Sequence, residues 1–145
     1  MQKKIKHSFI PFICWFITST ILLTLPGSAF PQENWLSKIW FDKWVHIGMF
    51  AIMTFLACWA IIPKKKWVDL RKLRQSFLII GLSCLCYGII MEFVQKYFIP
   101  NRSFDVGDII ADAVGCTIGF LYSAKRYIKK WTPVETGVAT KTNCL

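Results

Sequence analysis

Four apolar runs, separated by loops of alternating charge, constrain this chain more than any other feature. The runs fall at about residues 8–25, 44–62, 77–99 and 107–122. Crossing about 30 Å of hydrocarbon takes roughly 20 residues at ~1.5 Å each. The fourth run is the weakest, being short and carrying Asp108 and Asp112. Loop charge decides in its favour. Lys3, Lys4 and Lys6 precede the first run; Lys64, Lys65, Lys66, Arg71, Lys72 and Arg74 separate the second from the third; Lys125, Arg126, Lys129 and Lys130 follow the fourth. The other two loops hold only Lys38, Lys43, Lys96 and Arg102. Basic, poor, basic, poor, basic is what the positive-inside rule requires of four crossings with both ends inside. The expected fold is therefore all-α: a polytopic membrane protein with a four-transmembrane-helix bundle, both termini cytoplasmic. The bundle domain covers 1–131, and the polar stretch 132–145 is expected to be a disordered cytoplasmic tail.

Composition supports this class. The chain is 54% hydrophobic yet carries a formal charge of +10, a pairing natural to lipid-facing helices joined by basic inner loops. Nucleic-acid binding, the rival reading of a basic chain, needs aromatics on a basic face, and here they lie within the apolar runs. Five of the six cysteines (Cys14, Cys58, Cys84, Cys86 and Cys116) are in apolar segments and Cys144 is in the tail. Without C-x-x-C spacing they read as packing residues. The basic start and Gly27-Ser28-Ala29 resemble a cleavable signal, which would leave three spans in the same orientation. Trp35, Trp40, Trp44, Trp67 and Trp131 read as interfacial anchors.

The acidic residues are concentrated toward the outer side. Glu33, Asp42, Glu92, Asp105, Asp108 and Asp112 are expected there, against Asp69 and Glu135 inside. A charge at a helix centre costs about 2.5–3.5 kcal/mol on insertion scales, so these residues call for partners or a task. Helical spacing pairs Asp42 with His46, Glu92 with Gln95, and Asp108 with Asp112. The three pairs share a depth in the outer leaflet and are expected to converge where spans two, three and four meet, with span one peripheral. Ala111, Gly115 and Gly119 recur every fourth residue, a row that lets helix backbones approach and turns the adjacent acids toward protein. In the loop after span three, Pro100-Asn101 is turn chemistry, and Ser103 or Asp105 is placed to cap the next helix. Arg102 stands above the acids, either as their salt-bridge partner or as a fork for a phosphate or carboxylate.

The candidate ligand-binding set is thus Asp42, His46, Glu92, Gln95, Arg102, Asp105, Asp108 and Asp112. In a catalytic version, Glu92 or Asp108 would be general base, His46 its proton partner and Arg102 an anion clamp. One histidine among carboxylates is weakly diagnostic of a metal; no metal or cofactor is expected.

Asp42-Lys43-Trp44-Val45-His46, Glu92-Phe93-Val94-Gln95, Pro100-Asn101-Arg102-Ser103 and Asp108-Ile109-Ile110-Ala111-Asp112 with Gly115, taken in order, resemble the VanZ-like membrane proteins. The stretch Leu25-Pro26-Gly27-Ser28-Ala29-Phe30-Pro31 is also similar to members of that family, which speaks against a cleaved signal. The similarity runs from span one through span four, with a departure at Asp112, where the family more often has Asn. It implies a bacterial cytoplasmic membrane and a link to glycopeptide antibiotics of the teicoplanin type, without an agreed mechanism.

Three functions compete. In the first, an outward-facing pocket binds or modifies a membrane lipid or lipid-linked envelope precursor and lowers glycopeptide sensitivity; its binding form is favoured and catalysis is left open. In the second, the polar residues join helices in a structural or partner-binding protein. The third is a small transporter or proton relay. A homo-oligomer is compatible with each, and no nucleic-acid partner is expected.

Overall fold

A computed structural model describes residues 9–26, 40–62 and 69–128. The tail, Gly27-Ser28-Ala29, the amino-terminal lysines, Lys64 to Lys66, Lys129, Lys130 and the tryptophans Trp35, Trp67 and Trp131 lie outside the described residues. Within them the chain is all-helical: α1 (Ile10–Thr24), α2 (Phe41–Ala60), α3 (Leu70–Phe98) and α4 (Val106–Ser123). A π-turn over Ala124–Ile128 carries α4 onward.

Prolines and acidic caps set the boundaries. A residue before proline is pushed out of the helical region, and Leu25, before Pro26, is extended at ψ 138°. Ile99, before Pro100, is extended at ψ 121° and ends α3. Asn101 then turns the chain in the left-handed region, φ 59°, which asparagine tolerates better than most residues. Asp69 opens α3 by accepting from the amides of Arg71 (3.0 Å) and Lys72 (3.2 Å). Asp105 opens α4 by accepting from Gly107 N–H at 2.7 Å. Of the two cap candidates in this loop, Asp105 is the one used.

Helix α2, helix α3 and the continuous stretch Val106–Tyr127 are long and apolar enough to cross a membrane, whereas α1 is a shorter apolar helix of 15 residues. Helix α3 has 29 residues, about 43 Å of rise, more than the hydrocarbon needs. Its extra turns are at the amino-terminal end, where Arg71, Lys72 and Arg74 are exposed. The apolar run marks the lipid-spanning part; the Asp69 cap starts the helix two turns earlier.

Burial is inverted relative to a water-soluble bundle. Ile13, Ile17, Ile21, Ile79, Leu82, Ile90, Ile110 and Ile118 are exposed, while His46, Glu92, Gln95, Asp108 and Asp112 are buried. Exposed apolar surface on every helix with charge inside is the pattern of a lipid-solvated bundle. This is a multi-pass membrane protein.

Helices α2 and α4 make the closest contact. A methyl group at Gly115 would fall 2.5 Å from the carbonyl oxygen of Ile47, and one at Gly119 would fall 2.6 Å from that of Ala51. Only hydrogen fits at either place, so the two backbones approach along the Ala111, Gly115, Gly119 row. Helix α3 packs over this pair through Met91 and Cys84, against Phe50, Met53 and Cys116. Helix α1 lies at the periphery against α2 and α3, with only Ser19 and Leu23 buried, and is tied there by two hydrogen bonds: Trp15 Nε1 donates to the carbonyl of Met49 (3.1 Å), and the Thr20 hydroxyl meets that of Tyr87 (2.9 Å). The cysteines described are unpaired thiols.

Candidate functional site

The polar residues gather at one end of the bundle, where α2 begins, α3 ends and α4 begins. Because α3 and α4 are joined by the short Pro100-Asn101 turn, the last turns of one and the first of the other must be at one level. Helix α2 enters from the same side, so His46 meets α4 at Asp112, nearly two turns below its start.

Asp105 joins all three helices. Its Oδ1 caps α4, its Oδ2 accepts from Lys43 Nζ of α2 at 2.6 Å, and its backbone N–H donates to Glu92 Oε2 of α3 at 3.1 Å. Lys43 Nζ also donates to Asp108 Oδ1 at 3.0 Å. The Lys43 ammonium beside Asp105, helped by the Gly107 amide, holds the Asp105 carboxyl below the usual carboxylate value. Gly107 makes room for this lysine: a methyl there would be 2.6 Å from Lys43 Cε.

Below this cation, His46 Nδ1–H donates to Asp112 Oδ1 at 2.8 Å. His46 is 5% exposed and Asp112 1%. Gly88 on α3 faces the other Asp112 oxygen, Oδ2, and the Phe50 ring, so Asp112 is packed from both sides. A ring nitrogen of His46 and one carboxylate oxygen each from Glu92 and Asp108 lie within 4.8 Å of one another, and all three residues are buried.

The structure separates the candidate residues into inner and outer members. His46, Glu92, Asp108 and Asp112 form the buried group. Asp42 shares the face of His46 but is a turn higher, exposed at the rim, 3.6 Å from Lys43 Nζ. Gln95, spaced to accompany Glu92, instead donates from Nε2 to the carbonyl of Leu23 at 2.8 Å. It thereby satisfies an open carbonyl at the end of α1. Arg102 is half-buried in the loop above, but the ion pairs of Asp105 and Asp108 go to Lys43.

Lys43 is the site residue that sequence reasoning missed. It entered as one of few outer-loop charges and within the Asp42-to-His46 motif but not as a site candidate, though its spacing of three from His46 places both on one helix face. An apolar groove lined by Leu78, Leu82, Leu85, Ala113, Cys116 and Phe120, between α3 and α4, stands apart from the polar group.

A buried imidazole held by one carboxylate and faced by two more can bind a cation, relay a proton or hold a polar headgroup through its donors. Comparison with known proteins narrows the ancestry more than the chemistry. An uncharacterised protein of Schizosaccharomyces pombe is 32% identical over 122 residues, which is 82% of this chain and 65% of the relative. The chain therefore spans just under two thirds of the length of that curated relative. No solved structure matches. The model of the VanZ/LLP1 family matches residues 6–126, from before α1 to the end of the α4 stretch, and the chain belongs to that family.

Proposed function

We propose that this protein is a multi-pass protein of the bacterial cytoplasmic membrane, with both termini inside, whose polar group faces outward. There it binds a membrane lipid or lipid-linked envelope precursor and so lowers sensitivity to glycopeptides of the teicoplanin type. The observation that carries the reading is the clustering of His46, Glu92, Asp108 and Asp112, all buried, at one end of three helices. Buried charge is costly in a membrane, and a cluster confined to one leaflet marks a ligand site by default. Arg102 in the loop above, and Lys43 reaching in against Asp105 and Asp108, supply donors suited to an anionic headgroup. A relative in a fission yeast means that the family is not confined to bacteria, so the ligand is framed by headgroup chemistry rather than by one wall polymer.

The hydrogen bonds themselves favour a second reading. Lys43, His46 and Gln95 each join two helices, as polar glue would. Neutral isosteres distinguish the two, because burying an amide costs less than burying a carboxylate. Glu92→Gln and Asp108→Asn, with Arg102→Lys removing the planar fork, are scored for membrane abundance and for teicoplanin sensitivity in a susceptible host. A ligand site predicts normal abundance with the phenotype lost. Phenotype that tracks abundance in every variant would establish the glue reading instead.

A further inference from the structure

The electrostatics of the buried group are one-sided. Glu92, Asp105, Asp108 and Asp112 are four acids, against which stand Lys43 and His46 and, in the loop above, Arg102, so the acids outnumber the basic side chains even with Arg102 counted. Lys43 is already divided between Asp105 and Asp108. Three of the four carboxylates are buried, at 1%, 5% and 1% exposure for Glu92, Asp108 and Asp112. Uncompensated buried charge is strongly unfavourable, and the surplus is negative.

His46 gives the surplus a direction. A carboxylate can only accept, so the hydrogen bond to Asp112 places the ring proton on Nδ1. In the neutral ring the lone pair is then on Nε2. The hydrogen bond found for this ring among the described residues is the one to Asp112, and the residue is only 5% exposed, which leaves the Nε2 lone pair to face another partner. A histidine that donates one N–H to a carboxylate and offers its other nitrogen is oriented as metal-ligating histidines are.

We propose that His46 Nε2, Glu92 and Asp108 bind one divalent first-row metal ion, with Asp112 orienting the imidazole. One nitrogen and two carboxylate oxygens suit Mn²⁺ or Zn²⁺ better than Mg²⁺ or Ca²⁺, whose sites are made of oxygen. Ligand atoms sharing an ion at about 2.1 Å stand roughly 3–4 Å apart. A His46 ring nitrogen and one oxygen each of Glu92 and Asp108 already lie within 4.8 Å of one another. Three protein ligands leave positions open for water or an oxygen of a ligand, and the ion offsets the negative surplus that would repel an anionic headgroup. The inference deepens the reading of this end as a ligand site and rests on it for its purpose.

The test uses the full chain, purified in detergent, stripped with chelator and titrated with MnCl₂ or ZnCl₂ alone. The expected result is one equivalent bound per chain. Glu92→Gln or His46→Gln should weaken binding at least ten-fold, and Asp42→Asn should leave it intact. Asp42, Asp105 and Asp108 form a second, more exposed group of oxygens, so loss of binding in Asp42→Asn with retention in His46→Gln would overturn the proposal in favour of that rim. Absence of a stoichiometric equivalent in wild type would also overturn it. Should His46→Gln fail to fold, pulsed electron paramagnetic resonance on the Mn²⁺-loaded wild type decides: nitrogen coupling from an imidazole is expected, and its absence refutes the assignment. No metal uptake, together with isosteres that still abolish the phenotype, would remove the ion and leave the ligand site standing.

Discussion

Replacing Asp105 tests how the polar end is held together. Its two carboxylate oxygens do separate work: Oδ1 caps α4 through Gly107 N–H at 2.7 Å, and Oδ2 takes the Lys43 ammonium at 2.6 Å. Removing an N-cap costs about 1 kcal/mol. The ion pair is worth less than its short distance suggests, because the Asp105 side chain is 45% exposed and solvent screens it to about 0.5–1 kcal/mol. Lys43 also keeps Asp108 as a partner. Asp105→Ala is therefore expected to cost about 1.5–2 kcal/mol. Asp105→Asn retains a capping oxygen and should cost about 0.5–1 kcal/mol. The backbone N–H that Asp105 donates to Glu92 survives in both variants, so α3 keeps its contact with the loop. Unfolding of the purified protein by SDS in mixed micelles, followed by circular dichroism, measures the difference. Equal losses in Ala and Asn would show that the cap contributes nothing. No loss in either would refute the role of Asp105 as the joint of three helices.

Two further outcomes follow from the same geometry. Gly115→Val should separate α2 from α4, because even its Cβ would be 2.5 Å from the Ile47 carbonyl. A backbone atom cannot rotate away, so a loss of about 3 kcal/mol or more is expected in the same SDS titration, against little change for Gly48→Val, where a Cβ meets nothing within 4 Å. The Lys43 contact also fixes a pH dependence. The folded Asp105 carboxyl is held below its ordinary value of 3.8, so its contribution is complete above that value and is lost as pH falls through the lower, folded one. The gap in melting temperature between wild type and Asp105→Asn should be constant above about pH 5 and close only below the ordinary carboxylate range. A gap that closes nearer neutrality would contradict the ion pair.

Much of the helical layout was legible because its punctuation is local. Pro26 and Pro100 stop helices at the residue before them, and Asp105 starts α4. The level at which Glu92, Asp108 and His46 meet followed from counting residues down from the turn. Helical spacing says which side chains share a face, but not which face turns inward or how deep it goes. That is why Asp42, grouped with His46, is exposed at the rim while Lys43 beside it reaches inside. Gln95 was out of reach for a different reason. Its partner is a backbone carbonyl at Leu23, 72 residues away, and carbonyls carry no sequence signature. The start of α3 was placed late because hydropathy reports lipid contact, whereas a helix can continue into water under its cap.

The side of the membrane that the polar group faces bears most directly on the whole account, since an envelope ligand requires it to open outward. Single cysteines at Asn101, in the turn above the group, and at Lys72, exposed near the start of α3 at the opposite end, are introduced into a cysteine-free chain. An impermeant maleimide is then applied to intact cells. The account predicts labelling at position 101 in intact cells, and at position 72 only after permeabilisation, as the basic loops require. Labelling at 72 in intact cells with none at 101 would place the polar group on the cytoplasmic side and contradict it.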